Sequence, residues 1–366
     1  MKEQKKKIRA WLKLLQAPAI GSSKAISLVK ELGEPYSFIE ENADRLENVD
    51  SLSQEAKVFL RSSKFGYNWE EIEKLIDKFK IKFVSILDQN YPSSLKNIYN
   101  PPPYLFYRGT LEKDSFRRSI AIVGTRKASD YGKMMAKKIA HQLADAGFMV
   151  VSGLAYGIDS IAHIGCLESV RGITCAVMGT GCDQIYPPQN RKLAEKIIKK
   201  GVIISEYIPG HKAERWNFPE RNRIISGLSL GCLVVEGSKK SGALLTARFA
   251  MDQNRDIFAL PGDVTRPQAA GPNYLVQLGA KLVASTQDIL DEYDFKLEQE
   301  AETLPQLTKN EEIIYNLVLK NKPEIHFDDL LLQSGMNIGE LSSILLSLEL
   351  KSLVKKVSGN KIVPLY

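Results

Sequence analysis

The sequence predicts an α/β protein built on a doubly wound, mostly parallel, Rossmann-like sheet, with a small helical domain before it and a winged helix after it. Two observations predict the sheet. Short apolar runs rich in β-branched residues alternate with helical patterns between residues 119 and 260, which is typical of parallel βαβ units. Two runs end in glycine-containing turns, at Gly124-Thr-Arg126 and Ser152–Gly157. Such turns meet at the carboxyl edge of the sheet, where ligands bind.

The central strands and helices follow from hydrophobic periodicity. Ser119–Val123 predicts the first strand of this unit, and small and apolar residues then recur at helical spacing from Ser129 until Gly147. Phe148–Val151 predicts a second strand, which leads into a second helix after Gly157. The other predicted strands are Ile81–Leu87, Tyr104–Tyr107, Thr174–Met178, Val202–Ser205, Leu230–Val235 and Asp256–Leu260.

The pattern divides the 366 residues into four parts. Residues 1–80 predict a helical domain of the SAM or helix-hairpin-helix kind, in which Pro18–Gly33 forms either a phosphate-contacting hairpin or a plain helical turn. Residues 81–290 predict the Rossmann-like domain, and 291–307 an acidic linker. Residues 308–366 predict a winged helix-turn-helix. Because this last part has no net charge, we expect it to bind protein or pack rather than read duplex DNA.

Positive charge is concentrated in one part of the chain. The net charge is +7, but residues 81–290 alone carry 27 Lys and Arg against 17 Asp and Glu, with twelve arginines among them. A basic domain of this kind indicates a polyanion ligand. The four cysteines form no CxxC pair, and no apolar run reaches membrane-spanning length. We therefore expect a cytoplasmic protein with no membrane contact.

One segment combines cations with aromatic rings. Residues 211–229 interleave Arg215, Arg221 and Arg223 with Trp216 and Phe218. Guanidinium groups that bind phosphates and rings that stack on bases are what a single strand requires. The alternative is that the rings belong to the core and the arginines to a solvated face.

Two further features add phosphate-binding groups. Arg126 places a permanent cation in the first turn, and Ser241-Gly242 begins a helix beside two lysines. Backbone N–H groups at helix starts favour anions.

Enzymatic functions are weighed against the same residues. A dinucleotide site requires GxGxxG, and a P-loop requires a Ser/Thr after Gly132-Lys133; neither pattern is complete. Asp159 and His163 lie four residues apart on one helix and could form an acid–base pair, with Glu206 or Glu236 nearby. We favour a capping or packing role for Asp159 and a hydrogen-bonded core role for His163. A nucleotide-binding or nucleotide-cleaving enzyme is the alternative function, and a duplex-DNA regulator is a third.

Eight ordered motifs carry a family resemblance. They are VGTR (123–126), SGLAYGID (152–159), AH (162–163), MGTGCDQIYPPQN (178–190), SEYIPG (205–210), FPERNRIISGLS (218–229), VVEGSKKSGALLTA (234–247) and FALPG (258–262). Together they resemble the DNA processing protein A family (DprA, also called Smf). Two departures are Gly237, where the family usually has alanine, and Pro272 inside a G-x-N element.

The resemblance implies a non-enzymatic recombination mediator without a cofactor or metal. Its members bind single-stranded DNA in natural transformation, load the RecA recombinase onto it, displace single-strand-binding protein and act as homodimers. The family's DNA site would then comprise Gly124, Arg126, Ser152, Gly153, Arg215, Phe218, Arg221, Asn222, Arg223, Ser241 and Gly242.

Overall fold

A computed structural model describes residues 2–294, 307–321, 323–351, 353–357 and 359–364. The chain divides into two compact units, Met1–Leu297 and Glu298–Tyr366. The α-helices of the first unit are α1 Lys2–Gln16, α2 Ser22–Leu32, α3 Gln54–Arg61, α4 Trp69–Phe79, α5 Asp130–Asp145, α6 Ile158–Glu168, α7 Arg191–Lys200, α8 Asn217–Leu228, α9 Gly242–Asp252, α10 Ala270–Gln277 and α11 Thr286–Leu290. Shorter helical turns span Ser37–Glu41, Ala43–Leu46, Ser93–Asn97, Pro188–Asn190 and Asp291–Tyr293.

One nine-stranded sheet organises this unit. Its strands are β1 Lys82–Ser85, β2 Tyr104–Gly109, β3 Ser119–Val123, β4 Met149–Ser152, β5 Thr174–Val177, β6 Val202–Ser205, β7 Gly231–Val234, β8 Asp256–Ala259 and β9 Lys281–Leu282. Their order is β1-β2-β6-β5-β4-β3-β7-β8-β9. The strands from β6 to β9 pair in parallel, whereas β1 and β2 are antiparallel additions at one end. The predicted mostly parallel α/β sheet is confirmed.

The strand order changes direction at β3. From β3 the chain builds outward through β4, β5 and β6, and it then returns to place β7 on the other side of β3. Ile120 accordingly lies opposite Val150 on one side and Gly231 on the other. In open α/β sheets this switch point is where the carboxyl edge forms a crevice.

The helix after β3 begins and ends as the sequence indicates. The Ser129 hydroxyl accepts a hydrogen bond from the Gly132 N–H, which caps the start of α5. Beyond the helix Gly147 has φ of 79°, a left-handed conformation that suits glycine. The buried face of α5 includes Ala136, Ile139 and Leu143, which belong to the hydrophobic cluster on one side of the sheet.

The N-terminal helices and the sheet share one hydrophobic core. A single cluster of buried side chains extends from Ile8 in α1 to Leu275 in α10. The Trp11 ring meets Tyr104 of β2 edge-on, with 6.3 Å between ring centroids. The predicted boundary near residue 80 therefore separates helices from strands without separating two cores.

The second unit is a winged helix, as predicted. Its elements are α12 Lys309–Lys320, β10 Ile325–His326, α13 Phe327–Ser334, α14 Ile338–Leu350, β11 Val354–Val357 and β12 Lys361–Pro364. The strands form a small sheet in the order β10-β12-β11, over a core that includes Ile314, Leu330 and Leu348. Most of the predicted acidic linker, residues 295–306, lies outside the described residues. Among the helices the structure describes, none combines the length and apolarity that crossing a membrane needs.

Candidate nucleic-acid interface

Exposed cations and aromatic rings meet at the carboxyl edge of the sheet. Arg126 is exposed in the turn after β3, and its guanidinium carbon lies 5.9 Å from the centroid of the Phe218 ring. Phe218 is half-buried in the first turn of α8 and packs beside Tyr186, with 5.3 Å between ring centroids. We call Arg126, Tyr186 and Phe218 the edge cluster.

The start of α8 extends this surface. Arg215 is exposed, and Trp216 leaves 64% of its surface exposed. Neither Arg126 nor Arg215 has an acidic ion-pair partner within the described part of the chain. Two free cations beside exposed rings can accept a polyanion with stacking groups. Tyr186 of the edge cluster is 43% exposed, and although it lies in one of the sequence motifs it was not predicted as a site residue.

Arg221 is buried rather than available at the surface. Its guanidinium donates to the carbonyl oxygens of Gly153, at 2.8 Å, and Val177, so it joins the ends of β4 and β5. Burial lowers its pKa to about 10, which Asp159 partly opposes. Its guanidinium carbon lies 6.0 Å from the Phe218 ring centroid, so this buried cation adjoins the edge cluster. Arg221 thus supports Phe218 from inside the protein.

Arg223 is also buried, in an ion pair. Its Nη2 donates to Glu206 Oε2 at 2.5 Å, at the end of β6. Burial raises the pKa of the Glu206 carboxyl, and the Arg223 charge opposes that rise. Glu206 is therefore engaged in a structural pair, and Arg223 presents little surface to a ligand.

The glycine turns serve close packing in this structure. The Ser152 hydroxyl donates to the Ile122 carbonyl at 2.7 Å, and the Gly153 N–H donates to Asp159 Oδ2 at 3.2 Å. A Cβ on Gly124 would lie 2.4 Å from Ile158 Cγ1, so the first turn requires glycine. The Ser152 hydroxyl and the Gly153 N–H are already engaged within the protein, and the place of these two residues in the DNA site stays a prediction.

The start of α9 is more open. Gly242 is exposed with no atom within 4 Å of a Cβ built on it, and Lys239 and Lys240 are exposed beside it. The Asn222 side chain reaches the Gly242 carbonyl at 3.4 Å, which connects α8 to this turn. Ser241 Oγ is buried with no partner in the described structure.

The two departures from the family pattern have clear local settings. A Cβ on Gly237 would lie 2.5 Å from Ser241 Oγ, so the glycine leaves room for that hydroxyl. Pro272 is buried in the first turn of α10, where proline costs no helical hydrogen bond.

Asp159 and His163 do not form an acid–base pair. Asp159 accepts the Gly153 amide in the first turn of α6, beside Arg221, and burial raises its pKa. His163 is fully buried, with Nδ1 2.7 Å from Thr174 Oγ1, and burial lowers its pKa to about 3. His163 therefore has the hydrogen-bonded core role that the sequence favours. Asp159 has the packing role and not a capping one, since the N-cap of α6 is Gly157. Within the described residues no group of three or more His, Cys, Asp or Glu side chains could hold a metal.

Comparison with known families agrees with this architecture. Residues 82–294 match the family described as DNA recombination-mediator protein A. The chain belongs to this family. Residues 298–360 match the DprA winged helix domain, which agrees with the second unit.

Curated relatives share the α/β region. The chain is 43% identical over 212 residues to DNA processing protein DprA of Bacillus subtilis, which covers 58% of this chain and 71% of that protein. It is 43% identical over 216 residues to the DprA of Streptococcus pneumoniae, covering 59% and 76%. With Protein Smf of Synechocystis it shares 48% identity over 212 residues, 57% of this chain, and the match spans only about half (53%) of the relative's length.

Two solved structures resemble the fold. The X-ray structure of DNA processing protein A from Streptococcus pneumoniae aligns with a TM-score of 0.62 at 32% identity, over 80% of this chain and 96% of that one. A structure reporting the single-stranded DNA binding mode of DNA processing protein A from Helicobacter pylori aligns with a TM-score of 0.54 at 28% identity, over 60% and 98%.

Proposed function

We propose that this protein binds single-stranded DNA and loads RecA recombinase onto it, as a recombination mediator in natural transformation. The observation that carries the proposal is the edge cluster, in which the exposed Arg126 lies over the Phe218 ring next to Tyr186. A phosphate cation beside ring faces suits a flexible strand, whose bases are free to stack, better than a closed duplex.

The relatives support single-stranded DNA as the ligand. The curated relatives named above include DNA processing proteins, and the Helicobacter pylori relative binds single-stranded DNA. From the family resemblance we also propose a homodimer formed through the α/β unit, displacement of single-strand-binding protein, and a cytoplasmic location. For the residue roles, the geometry favours Arg126, Arg215 and Phe218 as direct contacts, with Arg221 and Arg223 behind them.

We propose further that the protein catalyses no reaction. The competing nucleotide-cleaving function would use Asp159, His163 and Glu206. Asp159 and His163 are buried and Glu206 is half-buried, and each is engaged within the protein: Asp159 with Gly153, His163 with Thr174 and Glu206 with Arg223. This arrangement favours a binding protein.

Binding of fluorescent oligo-dT over a salt series tests the proposal, with duplex DNA and a nucleoside monophosphate as competitors. We expect tight binding that weakens steeply with salt and that neither competitor displaces. Weak binding with the monophosphate competing, or being cleaved, would instead favour the nucleotide enzyme.

RecA loading is tested separately, on a strand coated with single-strand-binding protein. We expect this protein to speed RecA filament formation there. DNA binding without that acceleration would limit the function to binding the strand.

A further inference from the structure

The crevice between β3 and β7 already contains an anion, supplied by the protein. Glu236 follows β7, and its Oε2 accepts the Ser129 N–H at 2.9 Å while its Oε1 accepts the Ser129 hydroxyl at 2.5 Å. Ser129 is the residue that caps α5, a helix of 16 residues. The Glu236 carboxylate therefore lies against the N-cap residue of α5, and helix starts at this edge of the sheet are where nucleotide-binding proteins of this sheet type bind phosphate.

Gly132 makes room for this carboxylate. A Cβ at residue 132 would lie 2.4 Å from both the carboxyl carbon and Oε2 of Glu236. Glu236 is only 5% exposed, so its carboxylate is enclosed between the strand end and the helix. A glycine at the third position of α5 is costly for a helix, and here it accommodates an internal anion.

The main chain of Glu236 holds the other end of the same turn. Its carbonyl oxygen accepts the Thr125 N–H at 2.7 Å. Side chain and main chain together therefore attach both Thr125 and Ser129 to the end of β7. Arg126, the exposed cation of the edge cluster, lies between these two attachment points.

We infer that Glu236 is a built-in substitute for a phosphate group and thereby a specificity-determining residue. Its carboxylate closes the switch-point crevice to the phosphate of a free nucleotide, because two anions do not share one helix start. It also positions the turn that carries Arg126, so that phosphate binding is directed to the exposed surface, where a strand can lie. The second statement rests on the proposed function, and the first does not.

Thermal unfolding in inorganic phosphate, and then in AMP, tests the first statement. We expect Glu236→Ala to bind phosphate about 2- to 30-fold more tightly than the parent protein, the range that an anion at a helix start implies. Its Tm should then rise with phosphate more than the Tm of the parent does. The matched control is Asp183→Ala, which removes another carboxylate from this edge, one that accepts the Gly210 N–H at 2.9 Å but caps no helix. We expect the control to respond to phosphate as the parent does.

Two outcomes would overturn the first statement. One is an equal phosphate response in the parent and folded Glu236→Ala. The other is an equal gain in Asp183→Ala. If Glu236→Ala does not fold, Glu236→Ser serves, because it also removes the carboxylate and leaves room for an anion, while its hydroxyl can still take part in hydrogen bonds. An unchanged phosphate response in folded Glu236→Ser would then refute the inference. Since this measurement uses no DNA, its result stands even if the proposed function fails.

The positioning role is read from the salt dependence of oligo-dT binding. We expect Glu236→Ala to lose about 0.7 from the log–log slope, as Arg126→Ala does, and the double variant to lose no more than either single variant. A general loosening of the fold would weaken binding additively with Arg126→Ala. Additive losses would therefore refute the positioning role.

Discussion

Removing Arg126 and Arg215 together should flatten the salt dependence of strand binding. Both side chains are exposed at the carboxyl edge, and neither has an acidic ion-pair partner among the described residues. Each cation that contacts a phosphate of a single strand contributes about 0.7 to the slope of log affinity against log salt. The double variant Arg126→Ala/Arg215→Ala should therefore lose about 1.4 from that slope. Between roughly 50 and 200 mM salt, the parent should then lose about sevenfold more affinity than the variant.

The assay is fluorescence anisotropy of labelled oligo-dT at five or more salt concentrations. The matched control is Lys113→Ala/Arg117→Ala, which removes the same charge from an exposed loop just before β3, at the opposite edge of the sheet. We expect the slope of the control to differ from the parent slope only by the small effect of its lower net charge. A slope that falls equally in both double variants would show a general charge effect and would remove Arg126 and Arg215 from the site.

Three further predictions concern DNA binding by Phe218, the stabilising role of Arg221 and the pH dependence of the winged-helix unit. Phe218→Ala should weaken oligo-dT binding by about 1–3 kcal/mol without loss of folding. A variant with a much lower Tm and unchanged affinity would show that the ring belongs to the hydrophobic core. Arg221→Ala should lower the free energy of unfolding by about 3–5 kcal/mol in denaturant, because the buried carbonyls of Gly153 and Val177 lose their charged donor and the nearby Asp159 loses a neighbouring cation. A variant as stable as the parent would contradict the buried role. In the winged-helix unit, hydrogen bonds from Lys351 and Ser347 hold the pKa of Glu311 at about 2. Its folded pKa is thus below its unfolded value near 4.3, so its stabilisation is present above that pH and is lost as the pH falls toward 2. The protection factors of the α14 amides against hydrogen exchange, measured in the full chain, should fall over that interval in the parent and fall less in Glu311→Gln. Equal pH profiles of the protection factors would refute this.

The central strands were predictable because buried strands appear in the sequence as short continuous apolar runs. Ser119–Val123 and Val202–Ser205 begin and end where the apolar runs do. A strand buried on both faces is apolar at nearly every position, so its beginning and end can be found from the sequence alone. The two-residue strand β9, Lys281–Leu282, was missed because it is too short to form a pattern and joins the sheet through its neighbour β8.

The site was only partly predictable because orientation is a three-dimensional property. Arg221 and Arg223 are two positions apart on α8, and residues at that spacing point to different faces of a helix. Arg221 and Arg223 could therefore not both contact the same DNA strand, and their spacing in the sequence already indicates this. Their actual partners lie at the carboxyl ends of three strands. These partners are the carbonyls of Gly153 and Val177 for Arg221 and the Glu206 carboxylate for Arg223.

Glu236 was considered only as a catalytic acid at a strand end. Its actual partner, Ser129, is 107 residues earlier in the chain. No local pattern connects the two residues. The one signal within reach was Gly132, an unfavourable residue in the first turn of an otherwise regular helix.

The shared core at the N-terminus has a consequence for anyone who shortens this chain. A fragment starting at residue 81 would lose Trp11 from its contact with Tyr104 and would uncover the apolar face over which α1 lies. It would also leave β1 as a bare sheet edge, since Gln4 of α1 reaches the Phe83 carbonyl there. Uncovered edges pair with other chains. Such a fragment would therefore tend to aggregate, and a loss of DNA binding in it would report damage to the sheet rather than a task performed by the N-terminal helices.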